Sequence, residues 1–264
     1  MRYNQLGIER WYHGSNVDTH DHVKGFSGWL STSVGTRHQQ AQLNNHSRPE
    51  AQAIVARKRI YLTLKRWSDV VNALIQIILF SPIMLACSLA IKLYDRGPVF
   101  FRQERVTGGR KGWRTFKIIK FRTMVLDAER MGAKITPKND DRITPVGKVL
   151  RKFKFDEMPQ LFNILKGDMT FVGPRPQTLG YAQKFRNHYE FIHRVVPAGL
   201  TDLATIKFRN EEELLSQTGN PEELYVEEIM PNKIECHEWY VRAINPFLDF
   251  WILFMTIMLV FFKR

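Results

Sequence analysis

The sequence predicts an α+β fold: an α-rich domain held at a membrane, with a re-entrant helix-break-helix, a small β-hairpin or sheet, and an amphipathic or apolar C-terminal helix. Three stretches predict it. Val70 to Ile91 runs 22 residues without a charge, the length a helix needs to cross about 30 Å of hydrocarbon. Pro98 to Ile118 places strand-forming residues on either side of the turn Thr107-Gly108-Gly109. Phe250 to Phe262 supplies 13 uncharged residues ahead of Lys263 and Arg264.

Residues 1–56 hold five of the eight histidines with many Ser, Asn, Gln and Gly, and show neither helical nor strand periodicity. They read as a weakly ordered polar extension. No apolar core of signal-peptide length opens the chain, so export is not expected. His20 and His22 lack the cysteine or spaced second pair that would complete a metal set, and no role is assigned to them.

Residues 57–95 form the membrane segment. Ser81-Pro82 falls at the centre of the apolar run, where proline removes a backbone hydrogen bond and crowds the preceding turn. The Ser81 hydroxyl should help satisfy the carbonyls that Pro82 frees. Arg57, Lys58, Arg59, Lys65 and Arg66 precede the run, and Lys92, Arg96, Arg102, Arg105, Arg110 and Lys111 follow it. A spanning helix normally carries its Lys/Arg excess on one flank. Both ends should therefore face the same aqueous side, which favours a break and return within one leaflet over an ordinary kinked span.

Residues 96–245 form the cytosolic domain. Pro98 to Phe101 and Trp113 to Ile118 read as a basic hairpin. Thr144-Pro145 is an N-cap followed by a first-position proline, and the helix it opens should turn Val146, Val149 and Leu150 inward. A second helix is expected from about Asp156, with Pro159 in its first turn and Gly167 at its stop. Met169 to Val172 is a short strand entering the rigid turn Gly173-Pro174-Arg175-Pro176. Residues 246–264 form a membrane-associated helix too short for a comfortable crossing, lying in the interface; a helix buried against a partner is the alternative.

Charge narrows the partners. The chain has 39 Lys and Arg against 26 Asp and Glu, a formal +13, which suits nucleic acid, anionic lipid or phosphorylated substrates. No recognition helix or stacking sheet is visible, so nucleic acid is not expected. Cys87 and Cys236 make no disulfide framework, as expected of a reducing compartment.

The chemistry gathers around Asp156 and Glu157. The positive end of the helix they open stabilises their charge and that of an incoming phosphate. Arg151, Lys152 and Lys154 precede them, and Arg175 sits in a turn whose freedom two prolines limit. A carboxylate nucleophile flanked by cations suits phosphoryl transfer, and the planar arginine fork matches phosphate oxygens. The same residues also fit a helix cap with salt-bridged neighbours, so they leave both readings open.

Longer stretches carry more information: the Ser81-Pro82 break, Gly97-Pro98-Val99-Phe100-Phe101-Arg102-Gln103-Glu104-Arg105-Val106, and Phe116-Lys117-Ile118-Ile119-Lys120-Phe121-Arg122-Thr123-Met124. Asp141-Arg142-Ile143-Thr144-Pro145-Val146-Gly147 and Asp156-Glu157-Met158-Pro159-Gln160-Leu161-Phe162-Asn163 follow, then Gly167-Asp168-Met169-Thr170-Phe171-Val172-Gly173-Pro174-Arg175-Pro176. In order and spacing, over about residues 62–262, the chain resembles the bacterial sugar transferase family, the monotopic phosphoglycosyl transferases.

The resemblance implies transfer of a sugar phosphate from a UDP-sugar to polyprenyl (undecaprenyl) phosphate at the cytoplasmic face of the bacterial inner membrane, initiating polysaccharide or glycoconjugate assembly. Asp156 would attack the β-phosphorus and release UMP, and the acceptor lipid would then take the phosphosugar from the aspartyl enzyme. Mg²⁺ would work with Asp156 and Glu157, the latter positioning the metal or deprotonating the acceptor. Arg175 would bind phosphate, with Arg151, Lys117, Lys120 and Arg122 as weaker members of the same field. Downstream glycosyltransferases and a second copy of the chain are further conceivable partners. One departure stands out: the family's Gly-Ile-Thr-Gly-Trp-Ala-Gln type motif reads Gly199-Leu200-Thr201-Asp202-Leu203-Ala204-Thr205 here, so nucleotide or sugar contacts are expected to differ.

Overall fold

The computed structural model describes residues 47–109, 112–128, 140–216 and 218–261. The tail to residue 46, with His20 and His22, lies outside them, as do Arg110, Lys111, Lys263 and Arg264. The first described element, α1 (Ser47–Arg57), falls within the stretch expected to be a weakly ordered extension. It buries Ala51 and Ile54, and Glu50 accepts a hydrogen bond from Arg242 at 2.8 Å. Two small apolar contacts one turn apart are too sparse a pattern to read among Ser47, Arg48, Glu50, Gln52 and Arg57.

Next comes α2 (Arg59–Asp95), 37 residues with Pro82 inside, about 55 Å long at 1.5 Å per residue. The expected break is replaced by uninterrupted helix. Pro82 has no N–H to give the carbonyl of Ile78, and the Ser81 hydroxyl donates to that carbonyl at 2.8 Å. Most of the helix is turned inside out for a water-soluble element: Trp67, Leu74, Ile78, Leu79, Leu85 and Leu93 are exposed, whereas Lys65 and Asp69 are buried. By length and composition α2 is the one described helix able to cross a membrane.

Both halves of α2 dock on the rest of the fold. In the first half Arg66 donates to the carbonyls of Ile164 and Leu165 at 2.5 and 2.8 Å, and Asp69 accepts from the Thr170 hydroxyl at 2.6 Å. In the second, Met84, Cys87 and Ile91 share a core with Phe121 and Leu150.

That core is built on a hairpin, β1 (Phe100–Thr107) and β2 (Arg114–Phe121), antiparallel from Phe100 opposite Phe121 to Thr107 opposite Arg114. Helix α3 (Pro145–Lys152) starts as expected, with the Thr144 hydroxyl accepting from Gly147 N–H at 2.9 Å. It turns Leu150 inward, but Val149 is 55% exposed. The acids do not open an α-helix. Asp156 and Glu157 occupy a separate 3₁₀ turn (Phe155–Glu157), and α4 (Gln160–Lys166) begins after Pro159 and ends at Gly167, φ 80°.

The strand β3 (Met169–Val172) pairs in parallel with β4 (Ala198–Thr201). The approach is tight enough that a Cβ on Gly199 would lie 1.9 Å from the Gly173 carbonyl oxygen. Helices α5 (Leu179–Lys184) and α6 (Arg186–Val195) connect these strands. After β4 come α7 (Leu203–Lys207), α8 (Glu211–Ser216) and α9 (Pro221–Leu224), then a π turn (Tyr225–Ile229) running into α10 (Met230–Ala243).

The last helix, α11 (Pro246–Phe261), buries Ile252 and Asp249 and exposes Phe247, Phe250 and Phe254. Asp249 accepts from Tyr61 and Lys65 of α2, each at 2.5 Å, and from Tyr240 at 2.7 Å. A buried carboxylate with three donors fastens α11 to the start of α2.

Candidate active site

The site is assembled from four segments. Lys154, preceding the 3₁₀ turn, adopts the left-handed conformation at φ 58°, which costs a non-glycine residue about 1–2 kcal/mol. That reversal brings the turn under β2 and the Pro-flanked loop after β3. Lys120 Nζ lies 3.2 Å from Glu157 Oε1, and Arg175 Nη2 lies 2.6 Å from the same oxygen. Arg175 also donates to the Leu200 carbonyl at 3.1 Å. Its side chain remains 38% exposed against 17% for Glu157, so the guanidinium is the more solvent-accessible partner of the pair.

Burial alone would raise Glu157, but Arg175 first, then Lys120 and Lys154, hold it far below the usual carboxylate range. The guanidinium of Arg175 is raised in turn, chiefly by Glu157. Asp156 shifts the other way. Burial pushes it up and the Glu157 charge adds to the effect, opposed by Lys120, Lys154 and Arg151. Asp156 Oδ1 is buried and accepts no hydrogen bond among the described residues. Two adjacent acids are thus pushed apart in character, one held as an anion by its cations and one left more basic with a buried, unpartnered oxygen.

Of the basic residues expected here, the structure brings together Arg175, Lys120 and Arg151. Arg151 donates to the Thr123 hydroxyl at 2.9 Å and acts on Asp156 through its charge. Lys117 and Arg122 are not brought in. Lys117 lies three positions before Lys120 on β2, an odd offset, so strand alternation turns it to the opposite face, where it is exposed. Arg122 pairs with Asp95 at the end of α2 and donates to the Pro98 carbonyl at 2.7 Å. Its role is to fasten helix to hairpin.

Sequence reasoning missed three contributors. Asn163 accepts from Ile119 N–H at 3.0 Å and donates to the Lys117 carbonyl at 2.9 Å, fixing α4 to the strand that carries Lys120. Asp202 and His237 are fully buried and joined at 2.6 Å, and Asp202 accepts the Arg175 backbone N–H at 2.8 Å. The departure at Asp202 was the one available signal for that pair; His237 gave none.

The donor set fits Mg²⁺ in a limited way. No group of three or more His, Cys, Asp or Glu among the described residues could form an all-protein cage. Magnesium usually keeps several waters and needs only one or two carboxylates with substrate phosphates; the unpartnered Asp156 Oδ1 is a carboxylate oxygen of the kind it would need, whereas Glu157 Oε1 is already held by Arg175 and Lys120.

A model of the bacterial sugar transferase family matches residues 60–263. The chain is 38% identical over 200 residues to a UDP-N-acetylgalactosamine-undecaprenyl-phosphate N-acetylgalactosaminephosphotransferase of Aeromonas hydrophila, covering 75% of this chain and 44% of that protein. It is 36% identical over 209 residues to a UDP-glucose:undecaprenyl-phosphate glucose-1-phosphate transferase of Klebsiella pneumoniae, covering 78% and 42%. The Escherichia coli (strain K12) protein of the same description is 35% identical over 199 residues, 74% of this chain and 39% of its own length. The chain therefore spans less than half the length of these relatives.

Proposed function

The chain belongs to the bacterial sugar transferase family, and on that premise we propose that it transfers a sugar 1-phosphate from a UDP-sugar to undecaprenyl phosphate through a phosphosugar-aspartyl intermediate. The observation that carries this reading is the buried, unpartnered Oδ1 of Asp156 set among Lys120, Lys154 and Arg151. Buried carboxylate oxygens in purely structural roles are usually hydrogen-bonded.

In the first step Oδ1 of Asp156 bonds to the β-phosphorus as the bond from that phosphorus to the bridging oxygen breaks. UMP leaves with the electron pair. In the second, an oxygen of undecaprenyl phosphate attacks the same phosphorus and the aspartyl P–O bond breaks, which restores the carboxylate. Raised basicity makes Asp156 a better nucleophile once ionised. Its cationic neighbours keep an anionic donor from being repelled.

Glu157 is a poor base, because Arg175 and Lys120 hold it ionised well below neutral pH. Its role is to orient those two cations, and Arg175 presents its fork to the donor phosphates. Asp156 and Glu157 would hold Mg²⁺, which when bound neutralises charge on the diphosphate. The apolar faces of α2 and α11 keep this site at a lipid surface, where a long isoprenoid and a water-soluble nucleotide can meet. We place that surface at the cytoplasmic face of the inner membrane, with both ends of α2 on that one side, and the product as the first lipid-linked unit of a polysaccharide or glycoconjugate.

The test is a panel of UDP-sugars, including UDP-N-acetylgalactosamine and UDP-glucose, with Mg²⁺ and undecaprenyl phosphate. UMP release by the protein and its loss in Asp156→Asn are expected. With the lipid withheld, mass spectrometry should find one phosphosugar on the peptide holding Asp156. Turnover with no adduct under those conditions would remove the covalent step.

A further inference from the structure

We propose that the buried Asp202–His237 pair is a positioning device for Arg175, fixing the backbone from which its guanidinium reaches the donor phosphates; this rests on the phosphate-binding role given to Arg175 above. The pair lies behind the site, each residue about 1% exposed, so neither side chain meets the nucleotide or the sugar. Three donors converge on the one carboxylate. Oδ1 accepts the Thr205 N–H at 2.6 Å, and Oδ2 accepts the Arg175 N–H at 2.8 Å and meets His237 Nε2 at 2.6 Å.

The chemistry of the pair follows from that count. A carboxylate below its pKa would bring a proton into a ring of donors, so the group must stay ionised and accept only. Burial opposes the charge, but His237 and the Thr205 bonds more than offset it and hold Asp202 far below the usual carboxylate range. With an acceptor on one side, His237 must carry its proton on Nε2. Its Nδ1 is buried and has no hydrogen-bond partner, so the ring serves Asp202 alone among the described polar groups.

What Asp202 holds is the one backbone N–H between the two prolines of the Arg175 loop. Gly173 N–H already donates to the Thr201 carbonyl at 3.0 Å, and Gly199 N–H donates to the Pro174 carbonyl at 2.8 Å. Pro174 and Pro176 have no N–H to anchor. The Arg175 N–H is therefore the remaining backbone donor between the two prolines, and Asp202 takes it. The departure from the family pattern at this position is thus an internal anchor and does not contact substrate.

Asp202→Ala removes both acceptor oxygens at once, so the Arg175 N–H and the Thr205 N–H each lose their partner. Hydrogen exchange of the protein in nanodiscs should show lost protection in the peptide spanning residues 173–178 in Asp202→Ala, with the β1–β2 hairpin unchanged. UMP release from the donor selected by the panel above should fall about 10–100-fold, the usual range for residues acting through a ligand-contacting neighbour.

Coupling and rescue distinguish positioning from loss of structure. In an Arg175→Ala background Asp202→Ala should cost no further kcat, because the side chain it positions is gone. His237→Gln keeps an N–H for Asp202 and should stay near wild type, whereas His237→Leu should fall with Asp202→Ala. Multiplicative losses in the double variant, or unchanged exchange at 173–178, would overturn the proposal. If no UDP-sugar yields UMP the functional reading falls instead, and the exchange experiment still decides whether the anchor exists.

Discussion

Replacing Gly147 by alanine sets a backbone gain against a collision, and the structure says which wins. Alanine in a helix is worth about 1 kcal/mol over glycine. Here, however, its Cβ would lie 2.0 Å from the Thr123 carbonyl oxygen and 2.7 Å from the carbonyl carbon. An ordinary contact needs about 3.4 Å, so two backbone segments must part by about 1.4 Å. The Thr123 carbonyl also accepts the Thr144 N–H at 3.0 Å, and the Thr123 hydroxyl accepts from Arg151 at 2.9 Å. Overpacking of about 1–3 kcal/mol and two bonds at about 1 kcal/mol each, less the helix gain, leave a net loss of roughly 2–4 kcal/mol. For a domain of this size that lowers Tm by roughly 10 °C, read by thermal unfolding in detergent. UMP release should fall as well, because α3 delivers Arg151 to the field of Asp156. A Tm at or above wild type would refute the steric argument.

Three further outcomes follow from the same geometry. The nucleophile must be ionised, and Asp156 is raised, first by burial and then by Glu157; UMP release should therefore fall with acid at a pH above that of an ordinary aspartate. Glu157→Gln removes a raising charge and should move this acid limb to lower pH, while Lys120→Ala removes a lowering charge and should move it up; shifts of the opposite sign in pH–rate profiles would contradict the assignment. Asn163→Leu strands one N–H and one carbonyl of β2, worth roughly 2–5 kcal/mol together, and an unchanged denaturation midpoint would count against the bridge described here. For topology, single cysteines at Ser68 and Tyr94, both exposed at the two ends of the apolar run, should label from the same side of sealed inverted vesicles; labelling from opposite sides would sink the one-sided reading of α2.

Local signals carried well where the chemistry is local. Thr144-Pro145, Gly167 and the hairpin turn were legible because capping, a positive φ and strand alternation each act within a few residues. Ser81 beside Pro82 was legible for the same reason, although the helix runs on through the proline. What the sequence could not display were contacts made at long range. Asp69 meets Thr170 and Lys65 meets Asp249 across more than 100 residues, and β3 pairs with a strand whose four residues carry no alternation to betray it. Arg122 shows the limit for the site itself: within a basic strand nothing in the sequence separates the cation that faces Asp156 from the one that holds Asp95.

The two attachments of α2 bear on how the site meets lipid. Arg66 is tied to the carbonyls of α4, α4 is tied through Asn163 to β2, and the residue following β2, Arg122, is tied to Asp95. Polar protein therefore lies alongside the helix from its first half to its last residue. A perpendicular crossing would have to place about 30 Å of hydrocarbon around a segment whose inner face is already covered by the rest of the fold, and desolvating the exposed charged residues of that attached protein is expensive. A shallow embedding avoids this, since it is the exposed apolar side chains, Trp67, Leu74, Ile78, Leu79, Leu85 and Leu93 among them, that need lipid. For the reaction proposed above, a shallow helix would let a lipid-held acceptor and a water-borne donor reach the same site.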